Sequence, residues 1–240
     1  MNAPESTTEA PPRVDGRSER WREHRERRRS EFIDAAFRAI AEEGPDARME
    51  QIAAAAGTAK PKLYRHFATK ADLVDAIAER SMEMVIASLA GRIDLSASIR
   101  SAVSVGLDGY FEFVESNPNV VRFLMDNAMD TDGSQIMIER ARSIARLFVA
   151  IASADLNGAH LPPAEVEPLA HVLVGAVLGA TDWWTLQDPD NALPRERVVK
   201  QLTTVLTSAA EGALGDWGIE LDLDSPGLLA ALGFIPAAAD

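Results

Sequence analysis

A chain of 240 residues is long enough for one or two domains with a buried core, and its 47% apolar and 25% charged residues exclude a disordered protein. No apolar run reaches the 18 or so residues of a bilayer crossing, and the absence of cysteine excludes disulfides, thiol catalysis and thiolate metal sites. The net charge of −13 argues against a polyanionic partner until it is divided: residues 13–80 hold 15 Lys+Arg against 13 Asp+Glu, and residues 81–240 hold 9 against 22. One end of the molecule can therefore approach a polyanion that the other end repels. Four scattered histidines leave little for a metal site, so neither metal nor cofactor is expected.

In chain order, residues 1–18 are rich in Ser, Thr, Pro and Glu and are expected to be a disordered arm without the apolar core of a secretion signal, which places the chain in the cytoplasm. A helix is predicted from about Glu19 to Glu43, with Phe32, Ile33, Ala36, Phe37 and Ile40 at spacings of three and four, stopped by Gly44-Pro45. Short helices follow at Met49–Ala56 and about Lys60–His66. Thr69 and Asp72 then form a capping box that opens a long helix to about Leu89. Further helices are predicted from Ser96 to Glu115, from Pro118 through Met125, after Asp132–Ser134 to about Ala154, from Pro163 to about Leu186 and from Pro194 to about Leu214. No segment alternates as a strand does, so the chain reads as all-α with about nine helices. Ser225-Pro226 with Leu228, Leu229 and Leu232 could make one docking turn in an otherwise acidic tail.

Residues 49–67, MEQIAAAAGTAKPKLYRHF, join two short helices through Gly57, the layout of a helix-turn-helix, although a plain surface hairpin has the same outline. The second helix would expose Lys60, Pro61, Lys62, Tyr64, Arg65 and His66, a density of donors that suits phosphates and the edges of a major groove.

The string Gly57-Thr58-Ala59-Lys60-Pro61-Lys62-Leu63-Tyr64-Arg65-His66-Phe67, followed by Lys70, resembles the recognition helix of the TetR family of transcriptional regulators, and EFIDAAFRAIAEEG resembles that family's first helix. Direct resemblance covers about Arg28–Ile77. It implies a helix-turn-helix DNA-binding domain at residues 19–68, a ligand-binding and dimerisation domain at 69–215, and a tail at 216–240. By the same resemblance Lys60, Pro61 and Lys62 face bases, Tyr64, His66 and Lys70 meet phosphate, and Thr58 and Arg48 complete the DNA-binding set, Arg48 standing where the family has a Thr or Ser on phosphate. Two departures stand out: Ala59 replaces the usual capping hydroxyl, so Thr58 could cap instead, and Lys62 replaces a small residue. The eight arginines of Arg13–Arg29 either reach DNA as an arm or extend the first helix with Glu19, Glu23 and Glu26 as internal partners.

The resemblance also implies a homodimer whose interface is built from the last two long helices, with Val174, Gly175, Leu178, Gly179, Leu202, Val205 and Leu206 as candidates. A mostly apolar small-molecule effector would sit among the middle helices, against Tyr110, Phe113, Phe123, Met125, Met129, Phe148, His171 and Trp184. The function so implied is a ligand-responsive regulator, a repressor by the family's habit, on a palindromic double-stranded DNA operator. No nucleophile elbow, phosphate loop or dinucleotide fingerprint points to an enzyme. A helical protein-binding adaptor without specific DNA binding is the alternative.

Overall fold

Eight helices and no strand make up the residues that the computed structural model describes, which are 16–94, 96–128, 163–187 and 193–227. They are α1 (Gly16–Glu43), α2 (Met49–Ala55), α3 (Lys60–Leu63), α4 (Lys70–Leu89), α5 (Ile99–Ser116), α6 (Pro118–Ala128), α7 (Pro163–Thr185) and α8 (Arg195–Asp216). The all-helical expectation holds. The helix expected after Asp132–Ser134 lies outside the described residues, as do most of the arm and the turn expected at Leu228–Leu232.

Short-range chemistry sets most helix ends. The Thr69 hydroxyl accepts the Asp72 N–H, and the Asp72 carboxylate accepts the Thr69 N–H, each at 3.0 Å, so both ends of the capping box are closed. Helix α5 starts three residues later than expected. Ser98 caps it by accepting the Ser101 N–H at 3.2 Å, while Ser96 is held by Asp94, which accepts its N–H at 2.8 Å and its hydroxyl at 2.6 Å. Helix α1 starts at Gly16, slightly before the expected Glu19.

Helices α1, α2, α3 and the first half of α4 enclose one core, in which Ile40, Ile52, Leu63, Phe67, Leu73 and Ile77 are almost fully buried. Helix α6 completes it. Val120 and Phe123, one helical turn apart, insert into this same core. On the other side of α6, Val121 and Met125 pack with Val85, Phe113 and Val114. A second core joins α5, α7 and α8 through Leu107, Phe111, Val198, Val199 and Leu202, with Trp184 edge-on to Phe111 at 5.2 Å. Helix α6 is thus shared between the N-terminal module and the body.

Ion pairs tie the elements at their rims. The Arg80 guanidinium reaches Asp34 of α1 at 2.9 Å. Arg92, after α4, meets Asp108 at 2.6 Å and Glu112 at 2.8 Å, and Arg195 of α8 meets the same Asp108 at 3.2 Å and Glu115 at 2.9 Å. Lone surface pairs contribute little, whereas a shared network of this kind fixes geometry.

Residues beyond α8 are not a free tail through Gly227. Ile219 and Leu223 are buried with Val166 and Leu214, the Arg100 N–H donates to the Leu223 carbonyl at 3.1 Å, and the Gly227 N–H donates to that of Ser96 at 2.8 Å. The Arg100 side chain closes this clasp by donating to Asp224 and Glu211, each at 2.8 Å, and to Thr207. The charge of the segment hides its two apolar anchors, which explains why it reads as a tail in sequence.

Candidate nucleic-acid interface

The turn between α2 and α3 is set by Gly57, whose φ of 62° lies in the left-handed region that a side chain disfavours. Its N–H donates to the Ala54 carbonyl and that of Thr58 to Ala53, each at 2.9 Å, which is the paired closure of a Schellman motif. The chain then re-enters helix at once, with Ala59 in extended conformation as the N-cap and no side-chain cap. Thr58 therefore does not take the capping role left open by Ala59. Regular helix ends at Leu63, short of the expected His66, and hydrogen-bonded turns carry the chain on to Phe67. Leu63 and Phe67 are buried and anchor the element.

What α3 shows to solvent is basic. Pro61, Lys62, Tyr64 and Arg65 are exposed, as are Arg48 at the start of α2 and Lys70 at the start of α4. Thr58 is half-buried. The Lys60 ammonium is paired with the Glu50 carboxylate at 2.5 Å and lies 5.8 Å from the Tyr64 ring centroid. That hydrogen bond lowers the Glu50 pKa and raises that of Lys60, so both stay charged near neutrality. The pair also occupies the first lysine of α3, leaving Lys62 as the lysine directed outward.

His66 is half-buried, its ring 4.8 Å from that of Phe32. Burial lowers its pKa, and the positive charges of Arg25, Arg28, Lys62 and Arg29 lower it further, so the ring is neutral at pH 7. Its Nδ1 is buried without a partner.

Two family models match the chain: "Bacterial regulatory proteins, tetR family" over residues 32–77 and "Tetracyclin repressor-like, C-terminal domain" over residues 88–216. The chain belongs to the TetR family of transcriptional regulators. Among its relatives, an HTH-type transcriptional regulator of Mycobacterium tuberculosis is 32% identical over 83% of this chain and 84% of its own length. The HTH-type transcriptional activator FasR of Mycolicibacterium smegmatis is 27% identical over 45% of this chain and 50% of its own. A solved tetR-family regulator from Streptomyces coelicolor has the same fold, with a TM-score of 0.58 at 18% identity over 86% of each chain.

The TetR-type body distributes the remaining candidates unevenly. Tyr110, Phe113, Met125 and Trp184 meet in one cluster between α4, α5, α6 and α7. Tyr110 hydrogen-bonds the Thr181 hydroxyl at 3.0 Å, and the Trp184 indole donates to the Leu193 carbonyl at 2.9 Å. Phe123 is not with them. It lies in the N-terminal core, beneath the Lys70 ammonium at 5.7 Å, because α6 turns the Val120 face towards α1 and α4. His171 satisfies its Nδ1 against the Glu167 carbonyl at 2.8 Å, one turn back on its own helix. Met129 and Phe148 lie outside the described residues.

Of the interface candidates, Gly175, Gly179 and Val205 face outward and Leu178 and Leu206 are half-buried. Val174 and Leu202 are buried within the protomer, each on the inward stripe of its helix. The outward stripes carry residues that the sequence reading passed over. Val172 is 64% exposed and Trp183 48% on α7, and Leu186 is 61% exposed just past its end, with the candidate Val205 at 56% on α8. The signal for them was available in the helical period, as Val172, Gly175, Gly179, Trp183 and Leu186 recur every three or four residues.

Proposed function

We propose that the chain is a ligand-responsive repressor that binds a palindromic operator as a homodimer and leaves it when a mostly apolar small molecule binds. The observation that carries this reading is α3: a short element held by a glycine turn and two buried anchors, with Pro61, Lys62, Tyr64 and Arg65 turned outward. Such an element fits a major groove about 12 Å wide, and Lys62 suits the paired acceptors of guanine. The Tyr64 hydroxyl, Arg48, Lys70 and the His66 ring suit the flanking phosphates. Operators are read in two half-sites, which calls for a two-fold partner. The apolar stripes of α7 and α8 support that pairing, because a solvent-facing row of Val172, Trp183, Leu186 and Val205 would otherwise cost hydration free energy.

The cluster of Tyr110, Phe113, Met125 and Trp184 supports an apolar effector. It touches α4 and α6, the two elements that also build the N-terminal core. Helix α4 holds Lys70 beside α3 at one end and Leu89 against α5 at the other, so a ligand that favours one tilt of α4 shifts the separation of the paired recognition elements. It does so only by its differential affinity for the two arrangements. The protein acts in the cytoplasm, where the DNA is. No described helix is long and apolar enough to cross a membrane.

The test is selection from a randomised duplex pool with the full chain, followed by a reporter fused to the enriched site. Enrichment of an inverted repeat, bound by a dimer and lowering reporter output, supports the proposal. Output that rises on binding makes the protein an activator, which FasR shows is a known mode among relatives. No enrichment and no duplex binding at low salt would make the chain a helical adaptor instead.

A further inference from the structure

The first half of α1 is rich in arginine, and from Arg25 to Glu31 none of its side chains is buried. The helix runs unbroken from Gly16, whereas its first nearly buried side chain with a described environment is Phe32. The part before the core is therefore about 22 Å long at 1.5 Å per residue. Arg25 lies three and four residues before Arg28 and Arg29, and these lie four and three residues before Phe32, which places all four on one face. That face is turned towards α3. Phe32 stacks on His66 at 4.8 Å, the Arg28 guanidinium lies over the Phe32 ring at 5.7 Å, and the Arg29 guanidinium lies over the Phe67 ring at 4.8 Å. Arg25 stands one turn further out and is exposed. Like charges three and four residues apart repel along a helix, a cost that the Arg28–Glu31 pair at 2.7 Å offsets in part.

We infer that the face of α1 bearing Arg25, Arg28 and Arg29 is a second DNA-contacting surface, gripping phosphates beside the groove that α3 enters. This rests on the reading of α3 given above. Because it joins the Lys62 and His66 side of α3 to the α1 projection, the basic surface is continuous across two elements. Duplex DNA is the partner that meets both at once, with about six base pairs along the length of the projection at 3.4 Å each. The contacts are to backbone, so they strengthen binding to every sequence and to none in particular.

The experiment measures anisotropy of a fluorescein-labelled, mixed-sequence duplex of about 40 base pairs titrated with the full chain across a salt series. Each phosphate contact contributes about 0.9 to the slope of log K against log salt. The Arg25→Gln/Arg28→Gln protein is expected to lose about 1.8 from that slope and one to two orders of magnitude in low-salt affinity. Arg28 also donates to Glu31 at 2.7 Å. If circular dichroism shows the double variant unfolded, Arg25→Gln alone decides, with an expected loss of about 0.9. Arg27→Gln is the control, since it removes the same charge about 200° around the helix, and its slope is expected to match wild type. Wild-type slopes in the Arg25 variants, or an equal loss with Arg27→Gln, would overturn the α1 surface while leaving the α3 reading intact. A wild-type chain that binds no duplex at low salt would overturn both.

Discussion

The join between α4 and α5 is tight enough for a single methyl group to report on it. Gly109 of α5 is buried, and a Cβ built there would stand 2.6 Å from Leu89 Cδ2 and 3.3 Å from Leu89 Cγ, at the last residue of α4. Two terms oppose each other in Gly109→Ala. Alanine is favoured over glycine inside a helix by about 1 kcal/mol. Forcing a methyl into a filled site costs about 1–3 kcal/mol. Leu89 is half-buried and its end can swing part of the way, so the middle of that range, about 2 kcal/mol, applies and the net effect is about 1 kcal/mol destabilising. For a chain of this size that lowers Tm by roughly 2–4 °C. In a Leu89→Ala background the clash is gone, and Gly109→Ala should stabilise by about 1 kcal/mol, leaving a coupling of about 2 kcal/mol between the two positions. Denaturant unfolding of the four proteins, followed by circular dichroism at one fixed protein concentration, measures that coupling. Stabilisation by Gly109→Ala in the wild-type background, or additive effects, would show that Leu89 does not fill the space and that α4 is not seated on α5 through this contact.

Lys62→Ala should weaken binding to a selected operator by roughly 1–3 kcal/mol at one base position, read from a panel of single-base operator variants. Equal losses across the panel would make Lys62 a phosphate contact. Gly179→Arg puts a long charged side chain on the outward stripe of α7, where, among the described residues, nothing beyond the local helix backbone lies within 4 Å of a built Cβ, so the protomer should fold normally. Sedimentation should then report monomers, and binding to a two-half-site operator should be lost; dimers that persist would move the interface elsewhere. His66 has a folded pKa below its ordinary 6.5, so the neutral ring contributes stability above that pH and the contribution is lost as pH falls through the folded value. His66→Gln should therefore flatten the fall in Tm between about pH 7.5 and pH 5, and an unchanged pH dependence would assign the titration to another group.

Signals confined to four or five residues were legible in the sequence. Thr69 with Asp72, Pro118 and Pro163 each announce a helix start, because the capping groups and the residues they serve are neighbours in the chain. The Leu63-Tyr64-Arg65-His66-Phe67 string likewise carries its own anchors and its own exposed face. Two near neighbours competed at α5, where Ser96 and Ser98 are both capping residues and Asp94 takes the first. Long-range partnerships were not legible. Phe123 has the composition of a pocket lining, and only the packing of α6 on α1 and α4 assigns it to the N-terminal core. Val174 and Val172 are both apolar residues of one helix, and which of them faces outward depends on where α8 lies. The Lys60–Glu50 pair spans the glycine turn, so a lysine that sequence sets against bases is partly engaged by its own protein.

Arg100 sits near the start of α5, and one of its partners, Asp224, is 124 residues further on. At the usual 5–20 residues per second of ribosomal synthesis, that distance takes about 6–25 s to make. Phe123, the last residue of the N-terminal core, emerges only 23 residues after Arg100. A nascent chain can thus complete its DNA-reading head long before the bond that fastens the beginning of α5 exists. The order of synthesis allows a finished head on a body not yet latched.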